Sequence, residues 1–405
     1  MAKKQNQKIT EVKIRNLHGS FESDGIFWED RLVRPIDIYP EYADQNHENN
    51  DLQKGNIVST SSIFIEIHTD DGLYGTAGPI DTAHADIVEK SLSKIILGKD
   101  PLAIELLWDQ MYRLSVHGRQ GITMMAISAI DCALWDLKGK YYNTPVYKIL
   151  GGSTRKEIPA YASMLGFNVT DMNLVSERAK LYKEKGFTAQ KWFFRYGPMS
   201  GLEGLKKNVE MVKTLRDSVG DDYEIMLDCW QSMDYKYVVE LAKRIEKYRP
   251  YWLEETVMPD RVEIYKKIKD KINIPLSGAE HEYTRWGMLR FIEKNALDIL
   301  QPDIYWAGGL SEVIKISNLA STYDLITIPH GHSSNATLHF SLSQVPIHTP
   351  YQEYLIKWNK VHQHFLKTPE KPIKGFFAET NLIGLGMEID ESKIQKEDIL
   401  EIKLR

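Results

Sequence analysis

Glu224-Ile-Met-Leu-Asp-Cys-Trp230, Tyr251-Trp-Leu-Glu-Glu255 and Pro275-Leu-Ser-Gly-Ala-Glu280 are short apolar runs that each arrive at a carboxylate. Asp228, Glu254 and Glu280 stand 26 residues apart, which is the length of one strand plus one helix. The rhythm continues: Asp303 follows after 23 residues, His330 after 27 and Glu353 after 23. Strand-like runs are expected at 158–164, 189–195, 224–230, 251–255, 274–280, 297–303, 325–331 and 351–356. Amphipathic helical stretches such as 202–218, 235–248 and 261–269 fill the gaps. Eight strands alternating with helices predict a (β/α) barrel; a doubly wound sheet would carry a Gly-rich turn after its first strand, and none is present. Polar residues one unit apart at strand C-termini converge on one mouth of such a barrel. Helix-capping acids would not keep that register with a histidine among them.

Upstream, residues 1–155 read as α+β. Strand patterns at 8–16 and 57–68 alternate, and Asp70-Asp71-Gly72 turns the second back on itself. Helical patterns follow at 83–97, 101–114 and 120–141, the last apolar on most sides and so expected between two domains. Residues 19–51 lack clear periodicity and read as a long loop, of the kind that is usually functional or disordered. Barrel residues are assigned to 156–356, and 357–405 are expected to return to the N-terminal domain with a strand near 399–404.

The chain has 405 residues, 42% hydrophobic and 26% charged, with a net charge of −5. That balance gives no electrostatic footprint for nucleic acid or an anionic membrane, and no apolar run is long enough to span one. Cys132 and Cys229 cannot make a disulfide framework, no CxxC exists for zinc, and no apolar segment follows the charged N-terminus as in a secretion signal. A cytoplasmic protein is the expectation.

Three hard carboxylates without a Cys or His pair favour an oxygen-loving divalent cation, Mg²⁺ first. Alternation alone does not choose between Glu254 and Glu255. His330, one unit after Asp303, has the spacing of a His–Asp dyad in which the carboxylate orients an imidazole base.

The motifs Ala126-Ile-Ser-Ala-Ile-Asp-Cys-Ala-Leu-Trp-Asp-Leu-Lys-Gly-Lys140, Thr144-Pro-Val-Tyr-Lys-Ile-Leu-Gly-Gly152, Gln301-Pro-Asp303, Trp306-Ala-Gly-Gly309 and Pro329-His330 resemble the enolase superfamily, mandelate racemase subgroup. Leu227-Asp-Cys-Trp230, Gly278-Ala-Glu-His281 and Ile328-Pro-His-Gly331 most resemble the L-rhamnonate dehydratase branch of acid-sugar dehydratases. The resemblance implies an α/β fold: a modified (β/α)₇β TIM-like barrel with an α+β N-terminal capping domain completed by the C-terminal tail. It implies Asp228, Glu254 and Glu280 as ligands of one Mg²⁺ per active site, and His330 with Asp303 as the catalytic pair. Lys191 aligns with the first lysine of the family's Lys-x-Lys, which polarises the substrate carboxylate; Phe193 replaces the second. Phe accepts no proton, so one base, His330, must both take the α-proton and return a proton to the departing hydroxyl. Glu353 resembles the last-strand glutamate that meets the substrate.

His281 resembles the Glu-His pair near the substrate, although alternation would point it outward. Arg195 shares a face with Lys191 and reads equally as substrate contact or rim salt bridge. The 19–51 loop would supply specificity, with Trp28 and Arg31 as substrate contacts; its Phe27–Pro35 stretch departs from the branch's His-Trp and Thr-Pro features. His332 reads as a solvated loop residue. The implied activity is dehydration of an aldonate to a 2-keto-3-deoxy sugar acid by a homo-oligomeric enzyme whose partner is a small sugar acid. Ring opening of an anhydro-sugar acid is the alternative, followed by an epimerase or racemase and a non-catalytic binding barrel.

Overall fold

A computed structural model describes residues 7–43, 45 and 49–404; residues 44 and 46–48 of the expected specificity loop, and 1–6 and 405 at the ends, lie outside the described residues. The capping sheet is antiparallel. Ile9–Glu22 pairs with Ile57–Thr69, which turns at 70–73 into Tyr74–Ile80. The apolar positions Ile9, Val12, Ile14 and Leu17 are all buried; Val12 and Ile14 share a face by alternation, and a register shift separates Ile9 from Glu11. The C-terminal strand Lys396–Lys403 adds to the other edge of Ile9–Glu22. Arg15 fastens it there, with Glu66 and Glu391 each at 2.9 Å and Glu397 at 2.5 Å.

Eight parallel strands form the barrel ladder in the order of the sequence, from Glu157–Ser163 to Ile326–Thr327, with Gln352–Leu355 pairing back on the first. Seven helices lie between them, the first Met172–Glu184 and the last Ser334–Ser343. Where strand seven meets the segment leading to strand eight, Thr327 N–H donates to His348 O at 2.7 Å. The fold is therefore the capped (β/α)₇β barrel. Several strands are shorter than their apolar runs: strand six is only Ile299–Leu300 and strand seven Ile326–Thr327. Beyond the ladder the chain turns, with left-handed backbone at Glu255 and Ala279, which sequence alternation does not register.

Tyr161, Ala189, Met226, Trp252, Ile299 and Ile328 fill the barrel axis as an apolar plug. Burial of Met226, Ile299 and Ile328 contributes roughly 1.5–3 kcal/mol each. The plug also sets direction, because a residue two positions later on any of these strands points to the same interior.

The helix Ile122–Tyr142 is buried on most sides and packs on the strand Tyr74–Ile80 and on the barrel helix Gly309–Ser321. Its polar side chains grip the start of that barrel helix: Asp131 accepts from Ser311 N at 3.0 Å and Ser128 Oγ from Gly308 N at 2.9 Å. This anchors the 303–308 loop of the site. Gly309 has φ +84°, and a Cβ there would lie 2.3 Å from Asp131 Oδ2. Gly309→Ala is expected to destabilise the protein by about 2–4 kcal/mol, combining left-handed strain with overpacking. A urea midpoint unchanged from the parent would refute it. Among the described residues no helix is long and apolar enough to cross a membrane.

Candidate active site

Two residues past each plug side chain comes a polar one. Ala189 leads to Lys191, Met226 to Asp228, Trp252 to Glu254, and Ile328 to His330. Alternation thus lifts one face from an apolar layer to a reactive layer within a single turn of the pleat. It also separates the two glutamates. Glu254 shares Trp252's face and accepts from Trp252 Nε1 and Gln301 Nε2, both at 2.9 Å. Glu255 has φ +42° and turns toward His281.

Lys191, 1% exposed, is the cation around which the acids gather. Its Nζ contacts Glu254 Oε1 and lies 2.9 Å from Glu353 Oε1 and 3.2 Å from Asp228 Oδ2. Glu353 Oε2 accepts from Gly331 N at 2.9 Å. Burial would lower the Lys191 pKa, but Glu254, Glu353 and Asp228 together hold it well above the ordinary lysine value. One ammonium is not enough for this set. Burial and mutual repulsion hold Asp228 up at about 6, Glu280 at about 7 and Glu254 well above the carboxylate range. Glu280 Oε2 is buried with no hydrogen-bond partner. Clustered, under-neutralised carboxylates with an orphaned oxygen suit a hard divalent cation.

Which carboxylates would hold it is less simple than the spacing implies. Among the described residues, the potential ligand atoms that come within 4.8 Å of one another belong to Glu255, Glu280 and His281. Asp228 and Glu254 are instead drawn to Lys191. The expected triad shares only Glu280 with the close group.

Across the mouth, His330 Nδ1 and Asp303 Oδ2 are 2.7 Å apart, and Asp303 Oδ1 accepts from Tyr305 N at 2.6 Å. Asp303 is thereby fixed, and it fixes the imidazole so that in its neutral form Nε2 carries the lone pair. Nε2 lies 3.7 Å from Glu280 Oε2. Burial would depress His330, yet Glu280 and Asp303 outweigh it and raise the ring to about 10.

His281 does not point outward. Ala279 has φ +73°, which breaks the alternation, and the imidazole sits at the mouth 2.8 Å from Glu255 Oε2 and 5.2 Å from the Trp306 ring. Against its burial, Glu255 raises it to about 9. Left-handed backbone at Trp230, Glu255 and Ala279 recurs just past three successive strands. Such conformations concentrate at functional sites.

A cavity of about 450 Å³ opens above this layer between the barrel and the capping domain. Arg31 lines it, but its guanidinium is committed. It reaches Asp37 at 2.5 Å and the carbonyls of Gln45, Tyr42 and Ala43 at 2.7–3.0 Å. It folds its own loop. Trp28 is buried with Phe27 and Val58, with its ring 4.7 Å from that of Trp358, which lines the cavity. Arg195 lines a smaller neighbouring cavity and ties the barrel to the loop through Asp30 at 3.6 Å and Ala43 O at 3.0 Å. Sequence reading missed Trp230, Trp306, Trp358, His84 and His362, all at the cavity wall. His332 is there too, half-buried and 5.7 Å from the Trp306 ring. Trp230 and Trp306 follow the site acids closely in sequence, a signal that could have found them; His84 and His362 carry none.

Residues 173–393 match the family model described as enolase C-terminal domain-like, and residues 46–151 match the mandelate racemase / muconate lactonizing enzyme N-terminal domain. L-rhamnonate dehydratase of Saccharopolyspora erythraea is 35% identical over 334 residues, covering 81% of this chain and 80% of that protein. The structure of rhamnonate dehydratase from Gibberella zeae complexed with Mg is 30% identical, with TM-score 0.80 and 96% of each chain covered. The 3,6-anhydro-D-galactonate cycloisomerase from Zobellia galactanivorans is 31% identical, with TM-score 0.77, covering 96% of this chain and 100% of that one.

Proposed function

The chain belongs to the mandelate racemase / muconate lactonizing enzyme family of the enolase superfamily, and from that premise we propose that it is a Mg²⁺-dependent acid-sugar dehydratase. The observation that carries this reading is one base facing one acid cluster. His330, held by Asp303, looks across at the buried carboxylates and Lys191, while Phe193 occupies the place of a second base.

Asp228, Glu254 and Glu280 would hold the cation, and Mg²⁺ when bound supplies positive charge to the substrate carboxylate as the α-carbon loses its proton. Lys191 polarises the same carboxylate, with Glu353 setting its position. A cation on Glu280 would offset the negative charge that raises His330, so that the neutral ring takes the α-proton at Nε2 and Asp303 stabilises the imidazolium that forms. The electron pair left on the α-carbon expels the β-hydroxyl, to which His330 returns the proton, so that water departs. The resulting enol gains a proton at the β-carbon and gives up its hydroxyl proton to become the 2-keto-3-deoxy acid. His281, beside Glu255 at the mouth, contacts the substrate.

Likeness to the cycloisomerase over its whole length supports a second reading, in which the same α-proton loss expels a ring ether oxygen. The test is a panel of aldonates and anhydro-sugar acids assayed by mass spectrometry with Mg²⁺. Dehydration yields a product lighter by one water, whereas ring opening yields an isomer. If no member is turned over, the proposal fails.

A further inference from the structure

Beyond Trp306, whose ring lies 4.9 Å from His330, the cavity is walled by a second group of histidines: His84, His332 and His362. They come from three distant places in the chain, the first turn of the capping helix Thr82–Ile87, the loop after strand seven, and the helix Ile356–His362. Two of them have their tautomers fixed by backbone groups. His84 Nδ1 accepts from Asp81 N–H at 3.1 Å, so its Nε2 carries a proton and donates. His362 Nδ1 donates to His332 O at 3.0 Å, so its Nε2 carries a lone pair and accepts. The His332 ring packs tilted against that of His362, with centroids 4.6 Å apart, and its own Nδ1 is buried without a hydrogen-bond partner.

We propose that His84 and His362, with His332 beside them, form a hydroxyl-reading subsite that selects a sugar acid with a neutral, hydroxylated distal end. The proposal rests on the acid-sugar reading above. One fixed donor and one fixed acceptor lining the same cavity match a hydroxyl, which both gives and receives a hydrogen bond. A second carboxylate would need donors only, and preferably a cation. Among the described residues none is free at this wall: Arg31 and Arg34 are both engaged by Asp37 and loop carbonyls, and Asp81 adds negative charge. Burial holds the imidazoles neutral, with His362 pushed down to about 4 and His84 and His332 lowered as well. The orphaned His332 Nδ1 is the kind of buried polar atom that a bound molecule satisfies.

The test compares kcat/KM for three substrates: the sugar acid turned over best, its analogue lacking the distal hydroxyl, and its analogue bearing a second carboxylate. The wild-type enzyme is expected to favour the parent over either analogue by about 10- to 100-fold, mostly through KM. In His84→Phe and His362→Phe the preference over the deoxy analogue should fall toward one, and His362→Gln, which keeps an amide acceptor, should recover part of it. The wild-type comparison needs no variant, so misfolding of a variant does not remove the test. Equal use of all three acids by the wild type, or an unchanged preference in folded variants, overturns the subsite and leaves the dehydratase reading standing. Failure to turn over any acid overturns the dehydratase reading and the subsite with it.

Discussion

His330→Asn is expected to lose α-proton exchange and elimination together, by at least the roughly 10²–10⁴-fold typical of a general acid–base residue. The size follows from the absence of a substitute. Phe193 stands on the same strand face as Lys191, its ring 5.4 Å from Lys191 Nζ, and a phenyl group accepts no proton. Lys191 itself is held charged by three carboxylates, so it cannot serve as a base. Asp303→Asn should also be impaired, since an amide at 2.7 Å from Nδ1 no longer stabilises imidazolium. Lys191→Met should slow turnover through carboxylate polarisation. The measurement is deuterium incorporation from solvent at the α-carbon of recovered substrate. Exchange at the wild-type rate in His330→Asn would reveal another base and reopen the epimerase and racemase readings.

Chelation is expected to abolish turnover and Mg²⁺ to restore it, because the buried carboxylates outnumber the cations that neutralise them. The choice of ligands is tested by a readout independent of activity. Mg²⁺ at 100 times its dissociation constant should stabilise the folded protein by about 2.7 kcal/mol, visible as a rise in melting temperature. Glu254→Gln should lose that rise while remaining folded, and Glu255→Gln should keep it. The opposite pattern would move the cation to the Glu255, Glu280 and His281 group that the structure brings within 4.8 Å. Full activity in metal-free buffer would overturn the metal proposal altogether.

Spacing along the chain was enough for the barrel, for the register of its polar layer and for pairing His330 with Asp303, which lie 2.7 Å apart. The reason is that a parallel barrel repeats one strand–helix unit, so spacing along the chain becomes position around a ring. Alternation then decides which side chains enter it, as Trp252 does for Glu254 and Met226 for Asp228. Alternation fails where the backbone leaves the extended region. Ala279 at φ +73° brings His281 to the mouth, and Glu255 at φ +42° turns toward it, an outcome no period-two pattern contains. Tertiary structure alone decided the cavity wall. Arg31 is committed to its own loop, Trp28 packs against Trp358, and His84 and His362, far apart in sequence, line one cavity. Contacts of that kind depend on how the capping domain docks on the barrel, through groups such as Asp131 on Ser311, and docking has no period to read.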